Sequence, residues 1–177
     1  APCGNTVITD SVFCIAKPCT AISFDPIADP TVCEDQLVNL SIGSVVTGGA
    51  NFGVSWGNGP FEKDLTHQFV ATVDTIIEVS LNDTTQLGCP LYTHAFNVNV
   101  NPLPSDSIEV ASLNLCEGLT HVFTSSIAGF DKYEYYVQGM KVQDSVYHEF
   151  STSSLNTGAS EVVLHTTEKL CVNKDTI

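Results

Sequence analysis

The sequence contains no arginine, one methionine, one tryptophan and six lysines, set against 20 acidic residues. A net charge of −14 without any guanidinium group repels phosphate backbones and offers no bidentate phosphate clamp, which argues against nucleic-acid binding. The same charge disfavours attachment to an anionic membrane surface. No run of 18 apolar residues is present, so we expect no membrane insertion. The acidity is typical of a well-solvated surface protein.

Most sequence motifs of common catalytic and metal sites are also missing. The pattern H-E-x-x-H, the Walker phosphate loop and the calcium loop D-x-[DN]-x-[DN]-G do not occur. Residues 53–57 match the letters of the nucleophile elbow G-x-S-x-G, but they lie in an alternating row typical of a strand and not at the strand-to-helix turn that the motif needs. The five histidines are scattered: His67, His94, His121, His148 and His165. We therefore predict a protein that is not an enzyme and holds no cofactor. A calcium ion between domains, bound by scattered carboxylates, is an open alternative.

Seven cysteines give the strongest positive signal, because their spacing repeats. The interval from Cys33 to Cys89 is almost the same as that from Cys116 to Cys171, and each pair opens with Cys-Glu. The matching intervals indicate one module written twice, with the second copy starting at Cys116 as the first does at Cys33. We predict a disulfide within each module, Cys33 with Cys89 and Cys116 with Cys171, each adding about 4 kcal/mol in the chain-entropy model. A zinc site would need a second short Cys pair, which the sequence does not supply.

The odd number of cysteines leaves the first three to be assigned. Cys3 lies where the second cysteine of an earlier module would fall, and the residues after it resemble a last strand. Cys14 and Cys19 are separated by four residues and are predicted to form a small local clasp, with Cys3–Cys14 as the alternative. Disulfides persist in oxidising compartments, which predicts an extracellular or cell-surface protein.

Alternation of apolar and polar residues recurs along the chain, and helical periodicity is weak. One such row is Val38, Leu40 and Ile42, and turn clusters such as residues 57–60 separate the rows. Strands of this kind have one buried and one solvated face, which predicts an all-β fold of tandem immunoglobulin-like antiparallel β-sandwiches. A large aromatic residue is expected to pack on each disulfide, Trp56 in the first module and Tyr135 in the second.

Proline-rich segments divide the chain into parts. We predict residues 1–26 to be the last strand of a preceding repeat plus a linker. Residues 27–103 are predicted to form one repeat, and residues 104–177 a second repeat with a truncated last strand. Because a sandwich without its last strand exposes a sheet edge, we expect the native protein to continue in both directions.

Repeats of the PKD-like and immunoglobulin-like kind in Bacteroidota cell-surface proteins resemble this sequence. The similar motifs of the first repeat are Cys33-Glu-Asp, Val54-Ser-Trp-Gly, Gly88-Cys89 and Asn99-Val-Asn-Pro-Leu-Pro104. Those of the second are Tyr133-Glu-Tyr-Tyr-Val-Gln-Gly139, residues 152–158 and Cys171. The resemblance covers residues 27–177 and implies tandem PKD-like sandwiches of a large multi-repeat protein exported by the type IX secretion system. Such proteins serve gliding, adhesion, or capture of prey and surfaces.

Six triplets share the form Asp-Ser/Thr followed by a β-branched residue. They are similar to the O-glycosylation signal of the same bacteria, in which the hydroxyl residue carries the glycan. The resemblance implies O-glycosylation candidates at Ser11, Thr75, Thr84, Ser107, Ser145 and Thr176. The alternative is that the triplets mark a turn followed by a strand, because Asp favours turns whereas Thr, Val and Ile favour strands.

These observations predict a non-enzymatic structural or adhesive repeat segment of a large secreted cell-surface protein or filament. Its expected partners are the neighbouring repeats of the same chain, further copies in a homo-oligomer or fibre, and surface glycans. The alternative is a carbohydrate-binding accessory module of a secreted enzyme, which would expose coplanar aromatics at Tyr92, Tyr147 and Phe150. A glycoside hydrolase would need paired carboxylates in a deep cleft, for which a sandwich of about 75 residues offers little room.

Overall fold

The computed structural model describes residues 19, 22–25, 27–47, 51–84, 89–153, 155 and 158–177. Over these ranges the chain forms β-strands and no helix, which confirms the all-β prediction. Accordingly, the described part of the chain has no helix that could cross a bilayer. Cys3, Cys14 and Ser11, and with them most of the predicted segment 1–26, lie outside the described residues.

The first eight strands surround one hydrophobic core, and we call them the first sandwich. Their bounds are β1 (Ser23–Phe24), β2 (Thr31–Cys33), β3 (Gln36–Ser41), β4 (Val45–Val46), β5 (Phe52–Trp56), β6 (Thr66–Ala71), β7 (Thr75–Asp83) and β8 (Tyr92–Asn101). One sheet has the order β2-β8-β7-β5, in which β2 runs parallel to β8 and the other pairs are antiparallel. The antiparallel pairs β3–β6 and β1–β4 supply the remaining strands of the core.

Alternation along the strands decides which side chains fill this core, because successive residues point to opposite faces of a sheet. Val38 and Leu40 of β3 are buried in one cluster with Val79 and Leu81 of β7. Phe96 of β8 joins the same cluster and has no exposed surface. Burial of each such side chain contributes about 1.5–3 kcal/mol relative to exposure.

The remaining strands form the second sandwich. Their bounds are β9 (Ile108–Val110), β10 (His121–Ser125), β11 (Lys132–Val137), β12 (Met140–Ser145), β13 (Glu149–Thr152), β14 (Val162–Glu168) and β15 (Cys171–Thr176). The sheets have the orders β13-β10-β9 and β12-β11-β14-β15, and all pairs are antiparallel. Tyr133 and Tyr135 are fully buried here. Their hydroxyls donate to the carbonyls of Ile127 at 3.0 Å and His148 at 2.6 Å, so neither polar tip lacks a partner.

The two hydrophobic clusters share no residue. The first runs from Ile22 to Val100 and the second from Ile108 to Ile177, and residues 101–107 connect them. The predicted division between residues 103 and 104 lies in this connection and stays a prediction. The connection is where covalent and polar contacts between the sandwiches concentrate.

Candidate functional site

The connection between the sandwiches is closed by a disulfide between Cys33 and Cys171. Cys33 ends β2 of the first sandwich and Cys171 begins β15 of the second, and their Cα atoms are 5.5 Å apart. The two residues are separated by 138 positions in the sequence, so the closed loop contains most of both cores. The bridge therefore joins two folded units rather than the two sheets of one unit.

Polar contacts of the connecting segment reinforce this bridge. The Asn101 carbonyl accepts the Glu34 N–H at 2.9 Å, and the Asn101 side-chain amide donates to the Lys169 carbonyl at 3.5 Å. The Glu34 carboxylate accepts the Leu103 N–H at 3.4 Å. The Cys33-Glu34 pair thus holds the second sandwich through its sulfur and the connecting segment through its carboxylate.

The hairpin that presents Cys171 has an unfavourable backbone shape. Lys169 and Leu170 join β14 to β15 with φ values of 48° and 70°. These are left-handed conformations that cost a non-glycine residue about 1–3 kcal/mol each. Hairpin loops of this kind usually use Asn-Gly, so local preference does not select the turn. Asp131 stabilises it by accepting the Lys169 N–H at 2.8 Å.

A second disulfide joins Cys19 to Cys89 at the other end of the first sandwich. Their Cα atoms are 5.6 Å apart, and 70 positions separate them in the sequence. Cys89 lies just before β8, so this bridge ties the segment before β1 to the entrance of β8. The predicted clasp between Cys14 and Cys19 is therefore wrong, because Cys19 is bonded elsewhere.

The predicted pairing of Cys33 with Cys89 is wrong because the two residues lie at opposite ends of β8. Cys33 is the register partner of Asn101, the last residue of the strand, whereas Cys89 precedes its first residue, Tyr92. Ten residues of strand at roughly 3.3 Å each span about 30 Å. A disulfide needs Cα atoms within about 7 Å.

The predicted pairing of Cys116 with Cys171 is wrong for the same reason. Cys116 and Ile177 line one cavity at the far end of β15, whereas Cys171 begins that strand. The six residues of β15 at roughly 3.3 Å each place Ile177 about 20 Å from Cys171, and Cys171 is itself bonded to Cys33. Among the described cysteines, Cys116 is the free thiol, and it is exposed.

The residues at the inward-facing positions of the strands are a sequence signal that argues against both predicted disulfides. A disulfide between facing sheets needs a cysteine at an inward position on each sheet, and the inward rows of β3 and β7 are aliphatic. The predicted packing of Trp56 and Tyr135 on such bridges is accordingly wrong. Trp56 stacks on His67 with ring centroids 5.5 Å apart, and Tyr135 stacks on Phe150 at 5.4 Å.

The candidate sugar-binding aromatics do not form one platform. Phe150 is only 8% exposed and belongs to the core of the second sandwich. Tyr92 packs against the core of the first sandwich, with its ring 5.2 Å from that of Phe24. Tyr147, at 73% exposure, is the one of the three that lies open to solvent.

One cavity of about 420 Å³ opens at the far end of the second sandwich. Its apolar lining comes from both sheets and from the segment between β9 and β10, and includes Val110, Leu113, Leu115, Leu155, Val162 and Ile177. Cys116 and Glu117 lie on its rim. No cluster of three or more His, Cys, Asp or Glu side chains suited to a metal ion occurs within the described ranges.

Comparison with known proteins leaves the family open. Neither a protein-family model nor a curated protein sequence matches the chain. Among solved structures it is similar to the fibronectin(III)-like modules of Clostridium thermocellum CbhA, with a TM-score of 0.41 and 10% identity over 89% of this chain and 93% of that one. It is also similar to the N-terminal four Ig domains of Dscam1 isoform 6.9, with a TM-score of 0.38 and 10% identity over 93% of this chain.

The mouse nectin-like molecule 4 ectodomain matches with a TM-score of 0.37 and 11% identity over 89% of this chain. The chain spans 47% of the Dscam1 structure and 62% of the nectin-like ectodomain. All three TM-scores are below 0.5, so the sandwich architecture rests on the strand pairing itself.

The described hydroxyl residues of the Asp-Ser/Thr triplets differ in accessibility. Thr84, Ser107 and Thr176 are exposed. Thr75 and Ser145 are half-buried: the Thr75 hydroxyl donates to the Val73 carbonyl at 2.8 Å, and Ser145 Oγ accepts the Tyr147 N–H at 3.1 Å. Glycosylation at these sites stays a prediction.

The aspartates of the triplets have structural partners. Asp74 accepts the Val100 N–H at 2.7 Å, and Asp175 accepts the Ile108 N–H at 2.8 Å. Asp106 accepts the Ser125 hydroxyl at 2.7 Å. These carboxylates accept hydrogen bonds from N–H and O–H groups at strand ends and turns, which agrees with the interpretation that each triplet marks a turn followed by a strand.

Four charged side chains form one network on β11 and β12. Glu134 accepts from Lys132 Nζ at 2.7 Å and also from Lys141, while Asp144 lies 3.2 Å from each lysine. The hydrogen bonds from Lys132 and Lys141 lower the pKa of Glu134 below its usual range. The hydrogen bond from Lys141 chiefly lowers the pKa of Asp144.

This network predicts an acid-dependent loss of stability. A lowered folded-state pKa stabilises the fold above the unfolded value of about 4, and that contribution is lost as pH falls through the folded pKa. We expect Glu134→Gln to lower the melting temperature at pH 7 and to flatten its decline between about pH 5 and pH 2. Thermal melts at a series of pH values measure this. The matched change Glu109→Gln, at an exposed residue without an ion pair in the described ranges, should leave the profile unchanged.

Proposed function

We propose that this chain is a non-enzymatic structural segment that transmits tension through an extracellular protein. The observation that carries the proposal is the Cys33–Cys171 bridge, which joins the two sandwiches covalently. Tension applied at the two ends runs along the chain to Cys33, crosses the sulfurs to Cys171 and leaves along β15. The residues between these cysteines, which include β3 to β14, lie outside this path, so the load reaches the two sandwiches only through β1, β2 and β15.

An extracellular setting fits the same chemistry. Two disulfides persist where thiols are kept oxidised, and a net charge of −14 keeps neighbouring molecules apart. The exposed triplet hydroxyls at Thr84, Ser107 and Thr176 would accept glycans without disturbing a core. From the resemblance of the sequence motifs, we further propose that the chain belongs to a large cell-surface protein or filament of the Bacteroidota type, exported for attachment, gliding or surface capture.

The proposed role requires a rigid joint between the two sandwiches, and the rigidity of the joint can be measured directly. We expect small-angle scattering of the oxidised chain to fit a single arrangement of the two sandwiches. The double variant Cys33→Ser/Cys171→Ser should require an ensemble with a larger maximum dimension, because the hydrogen bonds that the described residues keep at the joint contribute only about 1 kcal/mol each. The matched change Cys116→Ser removes a thiol that makes no bridge and should scatter like the parent. Indistinguishable profiles for the parent and the double variant would reject the rigid-joint role.

A further inference from the structure

The turn that holds Cys33 is repeated in the second sandwich. Cys33-Glu34-Asp35 corresponds to Cys116-Glu117-Gly118, and the third residues of both share a positive φ, 61° for Asp35 and 77° for Gly118. The next strands keep the same offset, since the interval from Cys33 to Cys116 also separates buried Leu40 from buried Phe123. Cys116 is therefore the structural equivalent of Cys33.

In the first sandwich, the strand that leads into this turn is paired with the end of β8. Residues 99–101 at the end of β8 pair in parallel with residues 31–33 of β2. The ladder is extended by the Asn99 N–H to the Pro30 carbonyl at 3.0 Å and by the Glu34 N–H to the Asn101 carbonyl. The same strand leads into the second sandwich, whose hairpin supplies Cys171 to Cys33.

Contacts in the two cores show which residue of β8 in the first sandwich is the structural equivalent of Ile177, the residue that follows β15. The stacked rings of Trp56 and His67 in the first sandwich correspond to the stacked rings of Tyr135 and Phe150 in the second. His67 lies opposite Leu40, and Phe150 lies opposite Phe123, the equivalent of Leu40.

The strand pairing extends this correspondence from the stacked rings to β15. Trp56 is paired with Val79, and Tyr135 is paired with Leu164. Two residues before these partners lie Ile77 and Val162, which pair with Phe96 and Ile177 respectively. Ile177 is thus the equivalent of Phe96.

After Phe96, β8 continues through residues 97–101, and Val98 and Val100 pack on the first core. The corresponding space beyond Ile177 is the cavity of about 420 Å³ described above. Residues 114–116, the equivalents of β2, line it and have no strand partner within the part of the chain that the structure describes. Leu113, the equivalent of Pro30, is 75% exposed.

We propose that this cavity is the acceptor groove for an extended strand that continues β15 parallel to residues 114–116 and leads into a further sandwich of the same kind. Cys116 then forms a disulfide with the hairpin cysteine of that sandwich, as Cys33 does with Cys171. The proposal rests on and deepens the tension-transmitting role above, because a row of such bridges would link each sandwich covalently to the next. Its failure would leave the Cys33–Cys171 bridge untouched, so the two ideas are tested separately.

The bridge at Cys116 is an ordinary two-electron oxidation. Each of the two thiols loses one proton and one electron as the S–S bond forms. A disulfide oxidant such as oxidised glutathione takes up both electrons and both protons and leaves as two thiols. The exposure of Cys116 gives such an oxidant access.

The groove is tested with the full chain extended after Ile177 by Asn-Val-Asn-Val-Asn-Pro, the sequence of residues 97–102. The control extension, Asn-Asp-Asn-Asp-Asn-Pro, has aspartate at the two positions where the first extension has valine, and their carboxylates would face the apolar lining of the groove. We expect the Glu117 amide, the equivalent of the bonded Glu34 amide, to exchange its hydrogen at least ~10-fold more slowly with the valine extension only. Unchanged exchange with both extensions, or equal slowing with both, would overturn the groove.

The cysteine is tested with a longer chain in which residues 97–177 are repeated after Ile177. In the appended copy, Cys116→Ser removes the competing thiol and Val172→Ile gives the hairpin peptide its own mass. The protein is refolded with a glutathione couple, and its disulfides are mapped by mass spectrometry without reduction. Linkage of Cys116 to the marked hairpin peptide supports the proposal. A free Cys116, or its linkage to any other cysteine, contradicts it, while Cys33–Cys171 in the same map reports correct folding of the joint.

Discussion

When the oxidised chain is pulled from its two ends, we expect it to release only about a fifth of its contour length. The Cys33–Cys171 bridge spans 138 of the 177 positions, so about 39 residues remain extensible, or roughly 140 Å at about 3.6 Å per residue. After reduction of both disulfides, all 177 residues extend to roughly 640 Å. Force–extension traces of single molecules with and without a reducing agent measure the difference.

Two double variants separate the contributions of the bridges. With Cys33→Ser/Cys171→Ser, tension crosses Cys19–Cys89, which removes 70 positions, so about 107 residues and roughly 390 Å become extensible. With Cys19→Ser/Cys89→Ser, the shorter path through Cys33 and Cys171 remains, and the oxidised length should stay at roughly 140 Å. Release of more than about 350 Å by the oxidised parent would show that the load does not cross this bridge.

Removal of the bridge at the joint should also cost much of the second sandwich's stability. We expect Cys33→Ser/Cys171→Ser to lower the free energy of unfolding by about 3–5 kcal/mol, because the lost cross-link closed a loop of 138 positions. The second sandwich then has no disulfide, since Cys116 is free. The first sandwich keeps Cys19–Cys89. Calorimetry should therefore show the single transition of the parent separate into two, with the second sandwich melting first.

The matched control for this experiment is Cys116→Ser. Cys116 is exposed and forms no bridge, so its replacement should change the free energy of unfolding by less than about 0.5 kcal/mol. A double variant that melts in one transition at the parent temperature would show that the disulfide does not couple the two units.

Much of the architecture could be predicted from residue order. Alternation at Val38 and Leu40, and again at Val79 and Leu81, marked strands whose inward rows the structure buries together. The repeated cysteine interval marked two copies of one module, and the Cys-Glu turns keep that repeat in three dimensions. These features are local, since each depends on the side-chain period of a strand or the spacing of a repeat.

The candidate site was harder to predict. The nearly equal intervals from Cys33 to Cys89 and from Cys116 to Cys171 suggested two internal bridges, yet each interval records only that the module is repeated. The hairpin turn at Lys169 and Leu170 could not be predicted from the sequence either, because its residues are not those that favour such a turn. Both features are held in place by partners distant in the sequence.

Residue order alone thus predicts the strands and the repeat, because these depend on side-chain periodicity and on spacing. Tertiary structure alone decides which sulfurs meet. A disulfide needs Cα atoms within about 7 Å, and that distance depends on which end of each strand carries the cysteine. Here β8 separates Cys33 from Cys89, while the connection between the sandwiches brings Cys33 to within 5.5 Å of Cys171, measured between Cα atoms.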